Sequence, residues 1–151
     1  MQQQPVPSRM AIAGHPIHPM LIHFPVAALT ALVATDVAYI VTADEFWARA
    51  SLWLAGIGAL GGWFAGCIGL IDLVTVAKIR RLMTAWSHAL IAVMSLSVVT
   101  LNWLLRYSDM LAWVSPWGLT LSVLTAVLIA LAGVLGGRLV YEHGVGVSSD
   151  S

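Results

Sequence analysis

Long apolar stretches separated by short polar ones set the plan of this chain. From Pro19 to Val41 the one full charge is Asp36, and most other positions are apolar. A helix needs about 20 such residues to cross the hydrocarbon of a bilayer, so the stretch predicts a first span over 19–41. The same pattern predicts a second span over 51–77, a third over 84–105 and a fourth over 117–140. Residues 1–14 read as a flexible polar tail, because Pro5 and Pro7 restrict the backbone and nothing apolar is available to dock. Residues 144–151 read as a second tail, leaving 15–143 as the folded unit.

Local signals refine these elements. Pro19 suits the first position of a helix, which puts His18 at or beside the N-cap. Pro25, one and a half turns on, is expected to kink the first helix and to leave a carbonyl near Leu21 without its usual partner. Thr84 is the expected N-cap of the third helix. The second span carries Gly56, Gly58, Gly61, Gly62, Gly66 and Gly69, and the fourth carries Gly133 and Gly137. Four-residue spacing of small residues lets a neighbouring helix, a flat ligand or a second copy of the chain come close to the backbone.

Composition removes the soluble alternatives. The chain is 60% hydrophobic and 9% charged, with a mean hydropathy of +0.90. A soluble domain carries roughly a quarter charged residues to coat its surface. The expectation is therefore an all-α integral membrane protein, a four-transmembrane-helix bundle of up-down topology in contact with membrane lipids. Its net charge is zero and it has no basic block, so nucleic acid is not expected as a partner. No short apolar core with a small-residue cleavage site precedes the first span, which is expected to act as its own insertion signal. Cys67, within an apolar run, is expected to pack as a small apolar residue.

Four spans bring both termini and the basic turn Lys78-Ile79-Arg80-Arg81 to one side. That side carries Arg9, Lys78, Arg80, Arg81 and Arg138, against Arg49 and Arg106 on the other. The excess predicts cytoplasmic N- and C-termini in a bacterial inner membrane. Asp36 is expected to reach the opposite interface.

The candidate chemistry gathers on the basic side. The segment GHPIHPMLIHFP, residues 14–25, holds His15, His18 and His23; His88 lies near the start of the third span, Asp72 near the end of the second, and His143 just after the fourth. Ionisable groups inside spans are costly and point to function. His23 and His88 are expected at matched depth on diagonal helices, an arrangement suited to the two axial ligands of a haem b, with His18 as the substitute for His23. Arg80, Arg81 and Arg138 would then be available to the propionates. The alternative is a non-haem site for Zn, Fe, Cu or Ni built from His15, His18, His23, Asp72, His88 and His143, sensory or transport-related. A third reading is a non-catalytic anchor or assembly subunit. No hydrolase or transferase motif is present, so an electron-transfer or anchor role is favoured over that of a stand-alone enzyme.

GHPIHPMLIHFP, with GLIDL at 69–73 and GGRLVYEHGVGV at 136–147, resembles the bacterial membrane family known as domain of unknown function 2231. The resemblance implies a four-helix inner-membrane domain, found alone or joined to redox modules such as Rieske iron–sulfur or quinoprotein sugar dehydrogenase domains. It points to electron transfer with a redox partner protein and quinone, and it matches His15, His18, His23, Asp72, His88 and His143 by position.

Overall fold

The computed structural model describes residues 5–147. In chain order the elements are strands β1 (Ala11–Ile12) and β2 (His15–Pro16), then helices α1 (Ile17–Thr42), α2 (Glu45–Thr75), the single turn α3 (Ala77–Arg80), α4 (Met83–Ser108) and α5 (Leu119–Tyr141). An irregular helical segment, Val114–Gly118, leads into α5, with Ser115 in an extended conformation. Four of these helices are long and apolar enough to cross a membrane. They form the all-α, up-down bundle expected from the sequence. α1 and α4 each pack on both α2 and α5, so α1 faces α4 diagonally and α2 faces α5.

The helix starts differ from the sequence reading. α1 begins at Ile17, two residues before Pro19, with Pro16 as its N-cap. Pro19 is then the third helical residue, where its missing amide proton still costs nothing because the first turn has no carbonyl to meet it. α2 begins at Glu45 rather than 51, because the Asp44 side chain accepts a hydrogen bond from the Phe46 amide at 2.9 Å and caps it. Ala43, in the left-handed region at φ 55°, completes a two-residue link from α1. Thr84 does not cap α4; Leu82 holds that position without a side-chain bond.

The expected mobile tail is docked over residues 5–14, while residues 1–4 lie outside the described part. Val6 is buried with Leu73, Ile79 and Ala85 and closes that end of the bundle. Its amide bonds to Gly144 O at 2.9 Å, and Gly146 N returns a bond to Val6 O at 2.9 Å. The anchor that the sequence reading missed is the Asp72 carboxylate, which accepts from the amides of Arg9 (2.8 Å) and Met10 (3.0 Å) and from the Ser8 hydroxyl.

Packing is inverted relative to a soluble bundle. Large side chains such as Phe24, Trp53, Phe64, Leu90 and Val134 point outward, and Ala, Gly, Ser and Thr dominate the buried positions of α2 and α5. Small interior residues let helix backbones approach where lipid offers no hydrophobic drive for association. A methyl group on Gly58 would overlap Leu29, one on Gly62 would overlap Leu96, and one on Gly56 would sit 2.8 Å from Trp103 Nε1. The glycine face of α2 is thus occupied within the chain. Cys67, expected inside, is exposed on the outer surface instead.

The two helical hairpins repeat one inward pattern. In α1, His18, Pro25, Leu29, Leu32 and Asp36 share a face; in α4, His88, Ser95, Val99, Asn102 and Arg106 fall at the same intervals. Buried Ser51, Ala55, Gly58 and Ala65 of α2 have their counterparts in Gly118, Ser122, Thr125 and Ala132 of the second hairpin. Both hairpins start on the same side, so the halves are related about an axis along the bundle.

At the end of the bundle away from the termini, this symmetry brings Asp36 against Arg106. The pair is bidentate, with Arg106 Nη1 to Asp36 Oδ1 and Nη2 to Oδ2 both at 2.7 Å, and both side chains have zero exposure. Arg106 Nε donates to Asn102 Oδ1 at 2.8 Å, Asn102 Nδ2 donates to Ser122 Oγ at 3.0 Å, and Ser122 Oγ donates to Asp36 Oδ2 at 2.7 Å. Asp36 and Arg106 therefore do not reach the interface as the sequence suggested; each is withdrawn into the bundle to meet the other. Among the described residues no buried side-chain nitrogen or oxygen lacks a partner.

Removing one member of a buried pair strands the other charge, whereas replacing both with apolar groups does not. Arg106→Met should lower unfolding stability in mixed detergent micelles by about 3–5 kcal/mol, and Asp36→Leu/Arg106→Met should recover most of that loss. Equal destabilisation by the single and double variants would refute a stranded charge as the source of the loss.

Candidate functional site

The starts of α1 and α4 and the ends of α2 and α5 lie at one end of the bundle, and there the structure pairs His18 with His88. Their ring centres are 6.3 Å apart and the planes are nearly perpendicular, at 86°. His18 Nδ1 is 2.8 Å from Ala65 O of α2, and His88 Nδ1 is 2.8 Å from Ala132 O of α5. A carbonyl oxygen only accepts, so each Nδ1 carries the proton and donates it. Each Nε2 is then left with a free lone pair in the neutral ring.

The ring positions are prepared by the facing helices. One turn beyond Ala65, a methyl group on Gly69 would stand 3.0 Å from His18 Nδ1; one turn beyond Ala132, a methyl group on Gly136 would stand 3.3 Å from His88 Cε1. Carbonyl and glycine four residues apart therefore form one imidazole cradle, and the bundle has two. The sequence reading missed both cradles. The available signal was repetition, since eighteen residues separate His18 from Asp36 and His88 from Arg106.

His23, the expected partner of His88, is exposed on the outside of α1. Five residues turn a helix by about 140°, so His18 and His23 cannot both face the bundle axis. The structure brings the substitute, His18, to the site. His15 is exposed and its Nδ1 bonds to Ala13 O at 2.9 Å. His143 Nε2 lies 3.5 Å from Thr84 Oγ1, joining the C-terminal tail to α4. Both Asp72 oxygens are engaged by the N-terminal segment. The six-residue metal set is accordingly not assembled, and among the described residues no three His, Cys, Asp or Glu side chains group as metal ligands. Of the basic residues at this end, Arg138 is paired with Glu142 at 2.9 Å, Arg80 Nη1 is 3.3 Å from Val74 O, and Arg81 is exposed.

Fold and site define a class: a four-helix membrane bundle with two inward imidazoles on diagonal helices at one end. Within that class, residues 14–149 match the family model described as "Predicted membrane protein (DUF2231)", and the chain belongs to this family. No curated protein and no solved structure matches it.

The cradles make a graded prediction. Gly69→Ala forces a shift at His18 and should cost about 1–3 kcal/mol. Gly133→Ala meets nothing within 4 Å and should be neutral or slightly stabilising, since alanine favours helix over glycine. Unfolding midpoints of the two variants in the same detergent check the ranking.

Proposed function

We propose that this protein is a membrane electron-transfer protein that holds one haem b between His18 and His88. The observation that carries the reading is the state of the two rings: each has its Nδ1–H committed to a main-chain carbonyl, and among the described residues neither Nε2 has a hydrogen-bond partner. Outer hydrogen bonds of this kind fix the tautomer and orientation of ligating histidines and raise their basicity. His18 and His88, with ring centres 6.3 Å apart, would be the two residues that hold the group.

The donor set also distinguishes a haem from a bare ion. A porphyrin supplies four nitrogens and asks the protein for two, which is what the bundle axis offers. A bare transition metal asks for three or four protein ligands, and His15, Asp72 and His143 are engaged elsewhere. A haem in this place supplies a one-electron couple. The chain's own part is to hold both imidazoles in one tautomer, to exclude water along the apolar interior, and to keep the site near a single surface.

That surface carries Arg9, Lys78, Arg80, Arg81 and Arg138. The far end keeps Arg49 as a peripheral cation, Arg106 being buried within the bundle. By the positive-inside rule the site faces the cytoplasm of a bacterial inner membrane. With its chemistry at one end, the protein would take electrons from a redox partner there and pass them to quinone, which reaches the same depth laterally through the lipid.

The experiment is an absorption spectrum of protein purified from cells supplied with a haem precursor. A Soret band that shifts on dithionite reduction is expected, lost in His18→Ala and in His88→Ala and retained in His23→Ala. A colourless protein, or a band that depends on His23 and not on His18, overturns the proposal.

A further inference from the structure

We infer that Asp72 is a positioning residue for His18, acting through the N-terminal segment rather than by touching the imidazole; this deepens the proposed haem site and rests on that reading for its functional consequence. Three residues of α2 on one face serve His18 in sequence. Ala65 accepts its Nδ1–H, Gly69 leaves space for its ring, and Asp72, three residues further, clamps the chain that leads into α1. The clamp is continuous. Asp72 Oδ1 accepts from Met10 N at 3.0 Å, and Met10 O in turn accepts from Ile17 N at 2.9 Å. Ile17 is the first residue of α1, and His18 is the next. The β1–β2 pairing of Ile12 with His15 closes the loop between the two bonds.

The second hairpin lacks this device. Its residue corresponding to Asp72 is Leu139, which packs in the apolar cluster with Val6, Leu73, Ile79 and Ala85. His88 sits one full turn inside α4 and is held by helix backbone on both sides. His18 sits at the very start of α1, where backbone hydrogen bonds of the helix give it no support from the preceding residues. The half whose histidine lies at a helix start is the half that carries the carboxylate. A burial cost is accepted at 72 because the entrance to α1 needs an external tie.

Three variants test this. Asp72→Leu installs the residue of the second hairpin and removes the acceptor. Asp72→Asn keeps one carbonyl oxygen for the Arg9 and Met10 amides. Ile17→Pro removes the Ile17 N–H that meets Met10 O and leaves Asp72 intact; proline is accepted at the first helical position, and Pro16 at φ −61° and ψ 129° already has the conformation required before a proline. The readout is the Nδ1–H signal of each histidine in ¹⁵N-histidine-labelled full-length protein in micelles, reduced with dithionite so that any bound iron is low-spin ferrous.

In Asp72→Leu and in Ile17→Pro the His18 Nδ1–H signal should vanish or exchange with water at least tenfold faster, while that of His88 stays within twofold of the parent. Asp72→Asn should retain both. An unchanged His18 in either disrupting variant, or equal change at His18 and His88, overturns the inference. Absorption spectra of the same samples report separately on haem: a colourless parent defeats the haem reading, whereas the histidine signals still decide the role of Asp72.

Discussion

A guanidinium enclosed in a lipid-embedded bundle must be neutralised and fully hydrogen-bonded, and that requirement on Arg106 organises the rest of the structure. Asp36 satisfies it from the diagonal helix, with Asn102 and Ser122 taking the remaining bonds. The pair sets the rotation of α1 and of α4 about their own axes. Eighteen residues make five full turns at 3.6 residues per turn, a distance of about 27 Å. His18 and His88 lie that number of residues back from Asp36 and Arg106, so once the ions face each other the imidazoles must do so at the other end. The ion pair at one mouth of the bundle thereby positions the histidine pair at the other.

The repeated inward pattern explains how so few polar groups achieve this. Each hairpin supplies a histidine, a charged residue five turns later, and on its second helix a carbonyl and a glycine that receive that same histidine's ring. Two similar halves about one axis give a site whose two imidazoles are held alike, while the residues filling equivalent places differ where charge demands it. Asp36 opposes Arg106 because two like charges could not share the interior. Asp72 opposes Leu139, and there the difference marks which half is tied to the polar segment outside the membrane.

The four spans, their up-down order and the gathering of histidines at one end were legible in the sequence, since each depends on local hydropathy and on counting crossings. Helix starts were less legible: Asp44 caps α2 well ahead of the apolar run, and α1 starts before Pro19. The docking of residues 5–14 was hidden because their anchor is an acid more than sixty positions away, reached through main-chain amides that carry no sequence signal. The glycines were visible, but their use was not. Gly58 and Gly62 admit Leu29 and Leu96, while Gly69 and Gly136 admit histidine rings.

By itself the sequence determined that this chain folds in lipid as four helices and that its histidines collect on one side, because bilayer thickness and the cost of burying charge act on short windows of residues. Because α1 begins at Ile17 and takes in both His18 and His23, fixed helical pitch points the two about 140° apart. Which of them meets His88 was decided only by the tertiary structure. That choice is set by the face of α1 that turns inward, and the face bearing Asp36 turns inward to meet the buried guanidinium of Arg106 on the diagonal helix.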